Sequence, residues 1–235
     1  GIEMALWDIT GQSFGVPIWQ LLGGKFRDRI RVYNDCHEGE DNTPESWAEK
    51  GKAVEARGFD AIKFDIDPQP TQRDKYNRGI SNENIEFFVN AVATIREALH
   101  PNTDLLIDAH WFYSPSDILK VAQGLESLNL LWLEDPIPPE NIDVMAMVTR
   151  STSLPICTGE NFYTAHGFRD LIEKQASDII SPDLAKSGGL LEGRKIADLA
   201  NLYYIPYSPH NISGPIGTVA ACHVCAAVEN FQVLE

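Results

Sequence analysis

The sequence predicts an α/β barrel of the TIM type, (β/α)7β, on three observations. Four short apolar runs, LLIDAH (105–110), LLWLEDP (130–136), PICTGEN (155–161) and IISPDL (179–184), each carry an acid near their C-terminal end. Such runs read as parallel strands, which are apolar almost throughout because helices cover both of their faces. Their acids, Asp108, Glu134, Glu160 and Asp183, follow one another at intervals of 26, 26 and 23 residues. That interval is about the length of one strand, one helix and two short loops. Finally, strand-like and helical patterns alternate along the whole chain, eight strands with seven helices between them, which is the order of a barrel. With 235 residues and 43% hydrophobic content the chain can fill one such core.

The elements follow in order. Residues 1–24 have a helical apolar pattern that closes on Gly23-Gly24, a natural helix stop, and residues 1–28 are expected to be a lead-in helix and linker to a barrel at 29–235. Strand one is RIRVYND (29–35), and the next helix opens at Thr43-Pro44, a cap followed by a first-turn proline. Strand two, AIKFD (61–65), sets Lys63 and Asp65 on one face. The long polar loop after it, 66–81, is a candidate lid. A helix at 82–100 leads to strand three, where Asp108 and His110 share a face, and a helix at 115–129 leads to strand four. Helices at 141–151 and 164–176 flank strand five, and one at 190–203 follows strand six. Strand seven, YIPYSPH (204–210), delivers His210; a helix at 214–229 and strand eight, FQVLE (231–235), close the chain. No eighth helix follows and nothing precedes the first, so a capping segment and a last helix are expected to be missing from this sequence.

Composition excludes several classes of function. A net charge of −15 and a pI near 4.7 disfavour nucleic acid and anionic membrane surfaces, both of which attract basic patches. There is neither a membrane-length apolar run nor a signal peptide, so a cytoplasmic setting is expected. Of the four cysteines, Cys222 and Cys225 form a CxxC inside an apolar helical run without a second ligand pair, and core thiols are expected there rather than zinc.

The strand ends carry Lys63, Asp65, Asp108, His110, Glu134, Glu160, Asp183, His210 and Glu235. In a barrel that end holds the active site. Asp108, Glu134 and Glu160 fall on three adjacent strands and can converge; an oxygen-only set of hard ligands suits Mg²⁺, admits Mn²⁺ and disfavours zinc. Asp183 and His210 fall on neighbouring strands, where a carboxylate on one imidazole nitrogen raises the basicity of the other and gives a general base near neutral pH. Lys63 can bind a substrate carboxylate, act as a base, or balance the surplus acids. His37, His100, His166 and His223 lie in loops or helices and are assigned no role.

These residues resemble the barrel of the enolase superfamily, mandelate racemase subgroup. The matching motifs are MALWDITGQSFGVPIWQLLGG, Lys63 in IKFD, Asp108 in IDAH, Glu134 in LEDP, Glu160 in TGEN, Asp183 in SPDLAKSGG, His210 in SPHNISGPIG and Glu235 in FQVLE. The resemblance implies a small-molecule carboxylate substrate bound through Mg²⁺, loss of its alpha proton to the Asp183–His210 pair, and help from Lys63 and Glu235 in stabilising the resulting enediolate. It also implies a homo-oligomer. Many members carry a second lysine where this chain has Asp65, which argues against a racemase. His110, two residues after the first ligand, matches members similar to galactonate and mannonate dehydratases, in which that histidine protonates a leaving hydroxyl. The expected activity is therefore a hydro-lyase acting on an aldonic or aldaric acid to give a 2-keto-3-deoxy acid. A racemase or epimerase and a non-catalytic barrel are the competing expectations. Asp65 can bond Lys63, contact a substrate hydroxyl, or fill the vacancy.

Overall fold

The computed structural model describes residues 1–37, 43–67 and 79–235. Most of the candidate lid at 66–81 therefore lies outside the described residues. In chain order the helices are α1 (Ile2–Phe14), α2 (Ile18–Leu21), α3 (Pro44–Glu55), α4 (Asn82–Ala98), α5 (Pro115–Leu125), α6 (Ile142–Arg150), α7 (Thr164–Glu173), α8 (Leu190–Asn201) and α9 (Pro215–Ala227). The strands between them are β1 (Asn34–Asp35), β2 (Ala61–Asp65), β3 (Asp104–Asp108), β4 (Leu130–Glu134), β5 (Ile156–Thr158) and β6 (Ile179–Ile180). The chain divides into two compact units, Tyr33–Cys157 and Gly1–Val32 with Thr158–Glu235.

Within Tyr33–Cys157 the predicted alternation is present and every pairing is parallel. Each helix starts where the sequence supplies a side-chain acceptor: Thr43 accepts from Ser46 N, Ser81 from Asn84 N, Ser114 from Asp117 N and Asn141 from Val144 N. Each such cap is worth about 1 kcal/mol. Proline takes the first helical turn after Thr43 and Ser114, where its missing N–H costs nothing. All of β2 is buried, and the Trp47 ring lies parallel to Phe64 at 6.1 Å, with Phe87 and Phe88 around it. Register then does the decisive work. Asp65 pairs with Asp108, Asp108 with Glu134, and Glu134 with Cys157, so the acids stand abreast at one end of the strands.

The other unit departs more from expectation. The single helix predicted for 1–24 is two, because Gly15 adopts the left-handed conformation (φ 66°) and Pro17 cannot extend the first helix. Glu3 of α1 accepts hydrogen bonds from Leu190 N (2.8 Å) and Leu191 N (3.0 Å), capping α8, whose own cap residue Gly189 has no side chain to offer. Strand seven shrinks to Tyr207, bridged to Ile180 and Phe231, and strand eight to the isolated bridges at Phe231 and Leu234. Pro206 and Pro209 bracket Tyr207 and remove the N–H donors a longer ladder needs. Within this unit Val32 bridges to Leu234, and in the Tyr33–Cys157 unit strand one is likewise cut to Asn34–Asp35. Cys225 is buried and Cys222 half-buried, as expected of core thiols. Among the described residues no helix is long and apolar enough to cross a membrane.

Candidate active site

In the Tyr33–Cys157 unit the strand ends collect Lys63, Asp65, Asp108, His110 and Glu134. The Lys63 ammonium lies 3.2 Å from Asp108 Oδ2 and 3.5 Å from Glu134 Oε2, with all three side chains almost wholly buried. Burial of a charge is costly unless it is paired, and here one cation serves two carboxylates. Trp132, two residues before Glu134 on the same strand face, donates its indole N–H to Glu134 Oε2 at 2.9 Å. The backbone N–H of His110 donates to Asp108 Oδ1 at 2.9 Å, in a tight turn that puts His110 at φ 42°.

His110 has a partner that the sequence reading did not identify. Its Nδ1 lies 3.0 Å from Asp67 Oδ1, and its Nε2 lies 3.7 Å from Asp108 Oδ2. Burial opposes the imidazolium, but the bond to Asp67 and the charges of Asp108 and Asp65 outweigh it and push the pKa up to about 10. Asp65 is raised to about 6, first by burial and then by the neighbouring charges of Asp35 and Asp108. It bonds His37, whose Nδ1 is 2.8 Å from Asp65 Oδ2. His37, assigned no role from the sequence, is thus tied to the strand-end acids.

The other unit holds Glu160, Asp183, His210 and Glu235. Asp183 Oδ1 accepts from the N–H groups of Ala185 (2.8 Å) and Lys186 (3.0 Å), leaving Oδ2 for His210 Nδ1 at 2.9 Å. The expected Asp–His pair is therefore formed, on a carboxylate fixed by its own backbone turn. Burial raises the Asp183 carboxyl, but the bond from His210 and that from Lys186 N hold it below its usual range. His210 Nε2 lies 2.8 Å from Glu160 Oε2 and 3.7 Å from Glu235 Oε2. Burial opposes the imidazolium, yet Asp183, Glu160 and Glu235 together push its pKa up to about 10. Glu160, an expected metal ligand, here lies directly on His210 Nε2, and that contact is part of what raises the pKa above the near-neutral value expected of a general base. Lys186, also missed by the sequence reading, stands 3.6 Å from Glu160 Oε1 and 3.8 Å from Asp183 Oδ2.

Asp108 and Glu134 share one ammonium group, so these carboxylates are close enough to share one cation, and their oxygens are hard donors of the kind Mg²⁺ takes. The third expected ligand, Glu160, faces His210 and Lys186 in its own unit. Among the described residues, the tight groups of three possible ligands are Asp65, Asp108 and His110, and Asp35, His37 and Asp65. A missed signal preceded all of this. Asp35-Cys36-His37 repeats the Asp-x-His spacing of Asp108-Ala109-His110.

Comparison with known proteins places these residues in context. Residues 46–235 match the enolase C-terminal domain-like family, and residues 1–23 match the mandelate racemase / muconate lactonizing enzyme N-terminal domain. A D-xylonate dehydratase of Haloferax volcanii is 48% identical over 237 residues, spanning 100% of this chain and 58% of that protein. A D-gluconate dehydratase of Thermoproteus tenax is 32% identical over 235 residues, spanning 100% of this chain and 46% of its own length. A crystal structure of a mandelate racemase/muconate lactonizing enzyme-like protein from Rubrobacter xylanophilus superposes with a TM-score of 0.96 at 48% identity, covering 100% of this chain and 64% of that one. The chain thus spans about half the length of the curated relatives it matches.

Proposed function

The chain belongs to the enolase C-terminal domain-like family, and on that ground we propose that the full-length protein is a cytoplasmic, homo-oligomeric hydro-lyase that dehydrates an acid sugar. The single observation that carries the choice of reaction is His110, an imidazole held on Asp67 through Nδ1, two residues beyond Asp108. Such a side chain can give a proton from Nε2 to a departing hydroxyl. Two relatives support the substrate class by their names, D-xylonate and D-gluconate dehydratase.

Asp108, Glu134 and Glu160 would hold Mg²⁺, or Mn²⁺ in its place, which supplies positive charge for the substrate carboxylate and for the charge that develops on it. The remaining work falls to side chains. His210, oriented by Asp183, takes the proton alpha to the carboxylate. Lys63 and Glu235 stabilise the enediolate that forms, Lys63 by charge and Glu235 as a hydrogen-bonding partner. His110 protonates the beta hydroxyl as it leaves, and the enol product tautomerises to a 2-keto-3-deoxy acid.

Incubation of the full-length protein with pentonic and hexonic acids, followed by proton NMR in deuterated buffer, tests this. The expected result is loss of water from at least one acid, with a 2-keto-3-deoxy product. Alpha-proton exchange or epimerisation without water loss across the panel would instead make the protein a racemase or epimerase.

A further inference from the structure

Two Asp-x-His turns flank the end of β2, and they share one geometry. In each, the histidine backbone N–H donates to the preceding aspartate, at 3.1 Å for His37 on Asp35 and 2.9 Å for His110 on Asp108. Each histidine has positive φ, 52° and 42°. Each then gives Nδ1 to an aspartate of the Asp65-Ile66-Asp67 segment, His37 to Asp65 at 2.8 Å and His110 to Asp67 at 3.0 Å. Asp35 Oδ2 adds a second carboxylate, 3.5 Å from His37 Nδ1. The His37 ring is thus fixed from its Nδ1 side, while 69% of the side chain stays exposed.

A second observation concerns Asp65. The residue is only 4% exposed, and its Oδ1 has no hydrogen-bond partner among the described residues. A buried carboxylate oxygen calls for a donor. His37 Nε2, the ring nitrogen that Asp65 does not engage, can donate or accept, which suits a hydroxyl, while Asp65 Oδ1 stays buried without a donor. In register, Asp65 pairs with Asp108, so the pair adjoins the carboxylates proposed to hold the acid end of the substrate.

We propose that His37, positioned by Asp65, binds a substrate hydroxyl that is not lost in the reaction, and so selects polyhydroxy acids. This inference rests on the dehydratase reading and extends it to specificity. His37 contacts the substrate; Asp65 fixes its ring.

The test uses the full-length protein, an aldonic acid that the wild type dehydrates, and a set of analogues each lacking one hydroxyl other than the one eliminated. His37→Gln is expected to raise KM about tenfold on the parent acid while kcat stays within about threefold, and Asp65→Asn to shift the two parameters in the same sense. On one analogue, wild type and His37→Gln should have equal KM, which identifies the hydroxyl. An unchanged KM, or an equal rise on the parent and on every analogue, overturns the inference. So does a hundredfold fall in kcat at constant KM, which would assign His37 to proton transfer, or loss of one equivalent of bound Mn²⁺ in the variant, which would make Asp35, His37 and Asp65 a cation site. Should His37→Gln fail to fold, His37→Asn provides the same comparison. Absence of water loss by the wild type would overturn the dehydratase reading before any variant is compared, and this inference with it.

Discussion

Lys63 and Asp108 form a buried ion pair, with 3.2 Å between Nζ and Oδ2 and neither side chain more than 2% exposed. Glu134 leans on the same ammonium at 3.5 Å. Replacing the lysine by an apolar residue of similar length leaves two buried carboxylates facing each other.

Lys63→Met is therefore expected to destabilise the protein by about 3–5 kcal/mol in metal-free buffer, the usual cost of stripping one partner from a buried pair. Millimolar Mg²⁺ should restore part of the loss, because a cation that binds only the folded state stabilises it by mass action. Urea unfolding with and without Mg²⁺ checks both halves; an unchanged midpoint in metal-free buffer would refute the first.

The two proposed proton-transfer histidines should separate kinetically. His210→Asn is expected to abolish both alpha-proton exchange and water loss by about 10²–10⁴-fold, the range for general acid–base groups. His110→Asn should reduce water loss by a similar factor and leave exchange within a few fold. Solvent-deuterium incorporation into recovered substrate, followed beside product formation, distinguishes them.

Gly159 sits where the chain leaves β5 for Glu160. A Cβ there would lie 2.8 Å from Ser181 N and 2.9 Å from Ser181 C, and backbone cannot yield as a flexible side chain can. Gly159→Ala is expected to cost about 1–3 kcal/mol, as overpacking does, and to displace Glu160. A lowered Tm together with weaker Mg²⁺ binding in calorimetry would bear this out.

One acid-stability element lies far from the site. Glu55 accepts from the Thr103 hydroxyl and from His100 N (2.9 Å), tying α3 to the turn before β3, and these bonds, the Thr103 one foremost, hold its carboxyl below its ordinary value. A carboxyl whose pKa is depressed by folding contributes stability above its unfolded pKa and loses it as pH falls through the folded one. Chemical denaturation between pH 7 and 3 should show a shallower acid decline for Glu55→Gln than for wild type, from a lower starting stability.

The sequence shows much of this directly. Evenly spaced acids after apolar runs predict parallel strands with carboxylates abreast; the pairing of Asp108 with Glu134 bears this out, whereas Glu134 itself pairs with Cys157, three residues short of Glu160. The pair of Asp183 and His210 is also as expected. Hidden from the sequence were contacts that depend on where a loop turns. Asp67 meets His110, and His37 meets Asp65, at turns where both histidines adopt positive φ, a conformation that histidine tolerates better than most residues but that the sequence does not place at a given position. Strands seven and eight were overestimated because an apolar pattern reports burial, whereas ladder length depends on donors that Pro206 and Pro209 lack. Equally hidden is the contact of Glu160 with His210 Nε2, across 50 positions, where the sequence suggests only a metal ligand.

The cap that Glu3 places on α8 carries a lesson for protein engineering. A chimera that exchanges the first 28 residues between relatives looks like a cut through a linker, yet it also removes the only side chain seen to accept from Leu190 N and Leu191 N among the described residues. While Glu3 is in place Gly189 cannot acquire a side chain, since a Cβ there would lie 2.0 Å from a Glu3 carboxylate oxygen. Positions 3 and 189 therefore form a compatibility pair, an acid with a glycine, and recombination or directed evolution across that seam has to carry both or neither.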